Sequence, residues 1–217
     1  MKKFIPLFYS LIAVLFVACN KDEIHNTEDK VGISRVTHFP VLTLNGDRYM
    51  TIEAGGSFTD PGIVATEAGA DIPYTTEGSV NTGEVGVYDI TYTAVNKDGF
   101  PASLTRTVAV YSTDASAASN DLSGTYVRTS NGVSSTWAKI APGVYTVANP
   151  GGAAGVSLTV IAFNNTGNTI KIPEQTIGDG TTMTSAQESY SAGPPATYTW
   201  QILNSGYGTA LRTFVKQ

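Results

Sequence analysis

Past residue 18, no stretch of this chain repeats apolar side chains at helical spacing. Short alternating runs bounded by turn residues recur instead. In Val87-Tyr88-Asp89-Ile90-Thr91-Tyr92-Thr93-Ala94, the residues Tyr88, Ile90, Tyr92 and Ala94 fall on one face. That is the pattern of a strand buried on one side. Gly, Thr, Val and Tyr dominate after residue 38, and charge is sparse. The chain is therefore expected to be all-β, with pairing by hairpins and long-range sheet contacts.

The punctuation divides it. Residues 39–111 hold about seven short strands, turned at Asn45-Gly46-Asp47, Thr59-Asp60-Pro61-Gly62 and Asn96-Lys97-Asp98-Gly99. Seven strands of that length suit an immunoglobulin-like β-sandwich, here with a purely apolar core because the chain has a single cysteine. Residues 112–121, Ser-Thr-Asp-Ala-Ser-Ala-Ala-Ser-Asn-Asp, are small and polar and are expected to be a flexible linker between independently folding domains. Residues 122–217 are expected to form eight strands: 124–130, 134–140, 144–148, 156–163, 169–172, 182–190, 197–203 and 209–215. Their arrangement is a second antiparallel β-sandwich or a small barrel.

The first domain resembles a known family. Pro40-Val41-Leu42-Thr43-Leu44-Asn45-Gly46, Glu53-Ala54-Gly55, Phe58-Thr59-Asp60-Pro61-Gly62 and Gly86-Val87-Tyr88-Asp89-Ile90-Thr91-Tyr92-Thr93-Ala94 are similar to bacterial immunoglobulin-like domains of the hyalin-repeat and surface-lipoprotein kind. So are the Asp98-Gly99 turn and Arg106-Thr107-Val108. The resemblance implies a spacer or adhesive module at a cell surface, without catalytic residues. With the C-terminal β domain it resembles two-domain Bacteroidetes lipoproteins, which implies an architecture and no activity.

The N-terminus carries an address. Lys2 and Lys3 precede an apolar run from Phe4 to Val17, too short for a comfortable membrane span, followed by Ala18 and the lone Cys19. This resembles a bacterial lipoprotein signal: residues 1–18 are expected to be cleaved and Cys19 to carry the lipid. Lys21-Asp22-Glu23 resembles the Lys-acidic-acidic export signal of Bacteroidetes surface lipoproteins, which implies an outer-membrane protein facing the medium. Residues 19–38 then read as a flexible tether. Loss of Lys2 and Lys3 takes the net charge from −5 to −7, with 11 basic and 18 acidic residues remaining. Such a chain has no electrostatic reason to bind nucleic acid.

Catalytic material is scarce. The two histidines, His25 and His38, lie in the tether, so neither a Ser-His-acid triad nor a histidine metal site is expected. From residue 121 onward the acids are Asp121, Glu174, Asp179 and Glu188. Glu174 and Glu188 could face each other as a glycosidase requires, but solvated strand-end acids are the favoured reading. Gly151-Gly152-Ala153-Ala154-Gly155 opens a strand, not a helix, and offers no phosphate cradle. No enzyme activity and no cofactor are expected.

Aromatics offer the remaining chemistry. Tyr198, Trp200 and Ile202 share a strand face, read as core. In Thr136-Trp137-Ala138-Lys139-Ile140, Trp137 shares its face with Lys139, so that face is expected toward solvent or a rim. The Pro142-Gly143 turn would return Tyr145 beside it. Trp137 and Tyr145 are thus the candidate ligand-binding pair, suited to stacking on a sugar. The expected function is a surface lipoprotein acting as a non-catalytic binding module for a glycan or other ligand. The alternative is a spacer that docks a neighbouring outer-membrane protein, and an enzyme comes third.

Overall fold

The computed structural model describes residues 30–31 and 34–217. The signal segment, Cys19 and Lys21-Asp22-Glu23 lie outside the described residues. The chain divides into two compact units, residues 1–38 and 39–217. In the first, β1 (Lys30–Val31) and β2 (Ser34–Arg35) pair as a short antiparallel hairpin.

The N-terminal module of the second unit is an all-β sandwich. One sheet has the order β3 (Val41–Leu44), β5 (Ile63–Glu67), β6 (Ala70–Asp71). The other has the order β4 (Tyr49–Glu53), β9 (Pro101–Tyr111), β8 (Gly86–Val95), β7 (Tyr74–Glu77), with β4 parallel to β9. Alternation along β8 places Ile90, Tyr92 and Ala94 in the core with Ile63, Ala65 and Val108. Tyr88, at the end of the same face, is half-buried and donates to the Glu84 carbonyl over 3.0 Å.

A buried arginine joins the two sheets. Arg106 on β9 has no solvent exposure. It pairs with Asp60 and donates to the carbonyls of Asn45 (2.7 Å), Asp47 (3.2 Å) and Gly62 (3.3 Å). Tyr92 Oη donates to the same Asp60 oxygen over 2.6 Å. A buried guanidinium is tolerated because a carboxylate and several carbonyls occupy its donors. The turns read from sequence at 45–47 and 59–62 are therefore held from inside.

The C-terminal module is a barrel-like sheet of eight antiparallel strands. Its order is β13 (Thr159–Phe163), β12 (Val144–Ala148), β11 (Ser134–Ala141), β10 (Gly124–Arg128), β17 (Leu211–Lys216), β16 (Thr197–Leu203), β15 (Thr182–Ser191), β14 (Gln175–Thr176). The barrel alternative of the sequence reading is the one observed. The strand expected at 169–172 is reduced to one bridge, Phe163 with Lys171. Pro173 follows directly and has no N–H to extend a ladder.

That short segment closes the sheet. Phe163 and Lys171 exchange backbone hydrogen bonds of 2.8 and 2.9 Å, while Ser185 N donates to the Ile172 carbonyl over 3.2 Å. The Gln175 amide then acts as a substitute strand residue: Ile161 N donates to its Oε1 and its Nε2 donates to the Ile161 carbonyl, both over 2.8 Å. Inside lie Tyr126, Trp137, Tyr145, Tyr198, Trp200 and Phe214 with a surround of aliphatic residues.

The segment between the modules is not the flexible linker expected. Asp114 precedes a single helical turn, α1 (Ala115–Ala118), and Ala117 is buried. Asp114 N donates to the Asn165 carbonyl (2.8 Å), Gly167 N to Ser116 Oγ (3.0 Å), and Asn120 Nδ2 to Asn164 Oδ1 (3.0 Å). Gly143, at φ 67°, leaves the space that the Thr113 side chain and the Asn164 carbonyl fill. Small side chains here permit close docking rather than freedom. A further apolar cluster, Ala109, Val144, Ile161 and Phe163 with Tyr49, Val87 and Ile140 against it, joins the modules directly.

The arginine hub predicts an acid-sensitive sandwich. Burial raises the Asp60 pKa, but hydrogen bonds from Tyr92 and Gly62 and the Arg106 charge outweigh it, so the carboxyl sits below its usual value. A depressed folded pKa adds stability above the unfolded value, about 4. That stability is lost as pH falls through the folded pKa. Asp60→Ala should cost about 3 kcal/mol at neutral pH by leaving Arg106 buried and unpaired. Urea melts at pH 7 and pH 3 should show the two proteins converging in acid.

Candidate functional site

Trp137 and Tyr145 do meet, with ring centroids 5.6 Å apart, but in the barrel core. Trp137 is 2% exposed and Tyr145 fully buried. The face assigned to solvent on β11 is the inner one. Lys139 shares that face because protein carbonyls hold its ammonium: it donates to those of Ala118 (3.1 Å) and Asn120 (2.6 Å) behind α1. Ile140 points outward because the outer face there meets the sandwich, in the junction cluster. Trp137 stacks on Trp200 at 5.4 Å and 22°, and contacts Tyr198 edge-on at 5.2 Å. Tyr145 Oη donates to the Asn120 carbonyl over 2.8 Å. Tyr198, Trp200 and Ile202 are buried as expected. No sugar reaches this stack without unfolding the barrel.

Among the described residues, polar groups converge instead outside the barrel, where the sandwich meets its seam. The outward face of β8 and β9 carries a ladder of hydroxyls. Asp89 lies opposite Thr107 and Thr91 opposite Thr105, with Thr107 Oγ1 donating to Asp89 Oδ1 over 2.7 Å and the Thr91 and Thr105 hydroxyls 3.1 Å apart. Alternation forces this: Ile90 and Tyr92 point inward, so their neighbours point out. Arg48 and Tyr49 border one side. Thr159, Gln175, Thr176 and the Ile177–Gly180 turn of the barrel border the other, around a cleft of about 360 Å³. An adjoining recess of about 240 Å³ is shared by Asp89, Glu174 and Thr182.

The electrostatics centre on Asp89. Partial burial raises its pKa, against the Thr107 hydroxyl and the Arg48 charge, which pull it down. Arg48 lies over the Tyr49 ring at 5.8 Å. The cleft thus offers a cation, a partly desolvated carboxylate, several hydroxyls and an aromatic edge. Such a set can hold a polyhydroxylated molecule by alternating donors and acceptors. Of the two acids weighed in sequence, Glu174 borders this region, while Glu188 accepts from Ser185 Oγ over 2.6 Å on the barrel. Among the described residues no group of three or more His, Cys, Asp or Glu side chains could hold a metal ion.

The sandwich matches the family model described as bacterial surface protein, Ig-like domain, over residues 42–110. No curated protein matches the chain. Among solved structures it is similar to a lipoprotein of Bacteroides thetaiotaomicron, at 26% identity over 82% of this chain and 100% of that one, with a TM-score of 0.43. The Ig-like domain supplies Arg48, Asp89 and the threonine ladder, and the barrel supplies the opposing wall. Sequence reading missed these residues because they are ordinary polar side chains of two modules, brought together by the junction.

Trp137→Ala should cost about 3–5 kcal/mol, as the loss of a buried tryptophan does. Chemical denaturation of the full chain would measure it, and an unchanged midpoint would remove Trp137 from the core.

Proposed function

We propose that this protein is an outer-membrane surface lipoprotein, anchored through Cys19, that acts as a non-catalytic extracellular binding module. Its ligand occupies the cleft between the Ig-like domain and the barrel seam. The observation that carries this reading is the cleft lining: Asp89, Arg48 and the hydroxyl ladder face an open space rather than one another alone. A glycan fits that chemistry best, since it presents many hydroxyls and little charge. The anchor rests on Lys2-Lys3, the apolar run and Ala18-Cys19. Surface exposure rests on Lys21-Asp22-Glu23 and on the bacterial surface Ig-like domain.

A glycan array probed with the full chain should give hits that Arg48→Ala and Asp89→Asn each weaken about tenfold, roughly 1.4 kcal/mol. Both residues border the cleft outside the apolar cores, so melting should change little. Binding that survives both substitutions would place the ligand elsewhere. A second reading, a spacer that docks a neighbouring outer-membrane protein, is favoured by the apolar junction and the docked 112–121 segment, which hold the modules together. An array without hits would favour it.

The anchor has its own test. Cys19→Ala should leave the protein unanchored or unprocessed, since the acyl chains supply the binding; a mature-length variant that still partitions with the outer membrane after detergent phase separation would remove the lipid anchor. Replacing Lys21, Asp22 and Glu23 by Ala should protect it from protease added to intact cells. Equal digestion of both forms would remove that tripeptide as the export signal.

A further inference from the structure

The chain buries arginine in two places and treats it differently. Arg106 has Asp60. Arg212 on β17 is 5% exposed, and Arg128 on β10 is half-buried. Among the described residues no carboxylate forms an ion pair with either. The register sets Arg128 opposite Phe214, so Arg212 lies one inward position further along the same strand pair. Both arginines therefore sit at one end of the barrel.

Their bonds are to carbonyls alone. Arg212 Nη1 donates to Ala210 O over 2.9 Å and Nη2 to Tyr207 O. Arg128 Nη1 makes only long bonds, 3.3 Å to Gly151 O and 3.4 Å to Gly152 O. The Nε of each arginine is buried with no partner, and so is Tyr207 Oη. Arg212 lies over the Tyr207 ring at 5.4 Å. Two neighbouring cations with unused donors and no counter-ion are costly to hold beneath a surface. Burial, and then the Arg128 charge, lower the Arg212 pKa accordingly. Residues 122–217 carry five basic residues against three acids, in a chain whose net charge is −5.

We propose that Arg128 and Arg212 form an oxyanion site at this end of the barrel, for the carboxylate or sulfate group of an extracellular ligand such as an acidic glycan. The oxyanion accepts from the idle Nε–H groups, as guanidinium forks favour. It approaches from the Arg128 side. The Tyr207 turn covers the pair, its ring pressed against Gly151 so closely that a Cβ there has no room. That turn moves aside on binding.

The site is separate from the cleft and does not depend on it. The test follows the arginine Nε–Hε resonances of the full chain in micelles while sodium sulfate, sodium glucuronate or glucose is added. The Arg128 and Arg212 signals should shift saturably with one or both oxyanions, with a dissociation constant on the order of 1 mM, and stay still with glucose. The tighter of the two names the source of the group. Sulfate stabilises folded proteins generally, so a thermal comparison uses Arg128→Gln, which keeps a half-buried polar side chain. The anion-dependent rise in melting temperature should be larger in the wild type than in this variant, and unaltered in Lys171→Ala, which removes an exposed cation of the barrel. Nε signals that ignore both oxyanions, or an Arg128→Gln response equal to wild type, would overturn the proposal. A failed glycan array leaves this titration interpretable, and the reverse also holds.

Discussion

A sheet of eight strands that curls on itself must fill its own interior, and the rest of this structure follows from how that is done. Eight strands enclose a space that side chains can just fill. Here Trp137, Trp200, Tyr126, Tyr198, Tyr145 and Phe214 fill it, in contacts such as the 4.6 Å stack of Tyr198 on Phe214. Aromatic pairs of this kind add about 0.5–1.5 kcal/mol each beyond the area they bury. The filling leaves the barrel with chemistry at its outer wall and its ends. It also explains the seam: β13 and β14 are bridged by the Gln175 amide and the Lys171 segment, because the curled sheet brings its two edges within reach of one side chain.

Buried charge separates the two modules. In the Ig-like domain, Arg106 and Asp60 satisfy one another and three carbonyls, tying loops 45–47 and 59–62 to strand β9. Such a network fixes the arrangement of turns more than it adds to stability. In the barrel, Arg128 and Arg212 lack that complement. Arg212, 5% exposed, lies nearly as deep as Arg106, and what it lacks beside Arg106 is a paired carboxylate.

The junction decides what the outer surface can do. Val144, Ile161 and Phe163 on the barrel meet Ala109, Val87 and Tyr49 on the Ig-like domain. The segment 112–121 is bonded to the 164–167 turn beside them. With the modules fixed in this way, Asp89 and the threonine ladder face the Gln175–Gly180 stretch across a defined gap. A flexible linker would have left both walls as separate, featureless strand faces.

Much of this was legible in the residues. The absence of helical periodicity, the turn signals and the alternation of Ile90, Tyr92 and Ala94 were enough for an all-β chain with an Ig-like first module. Seven of the eight C-terminal strands fall where alternation and turns put them. Tyr198, Trp200 and Ile202 point inward because nothing polar shares their face. Alternation divides a strand into two sets but does not say which is inside, and on β11 it misled: Lys139 looked like a solvent marker, yet the carbonyls of Ala118 and Asn120 accept its charge. Likewise Ser and Ala at 112–121 have no packing signature of their own, and the segment docks because Gly143 leaves space for Thr113 and the 164–167 turn bonds to Ser116 and Asn120. Local sequence determined the class, the strands and most of the core. Tertiary structure alone decided the sidedness of Trp137, the closure of the barrel and the cleft, because each depends on partners tens of residues away.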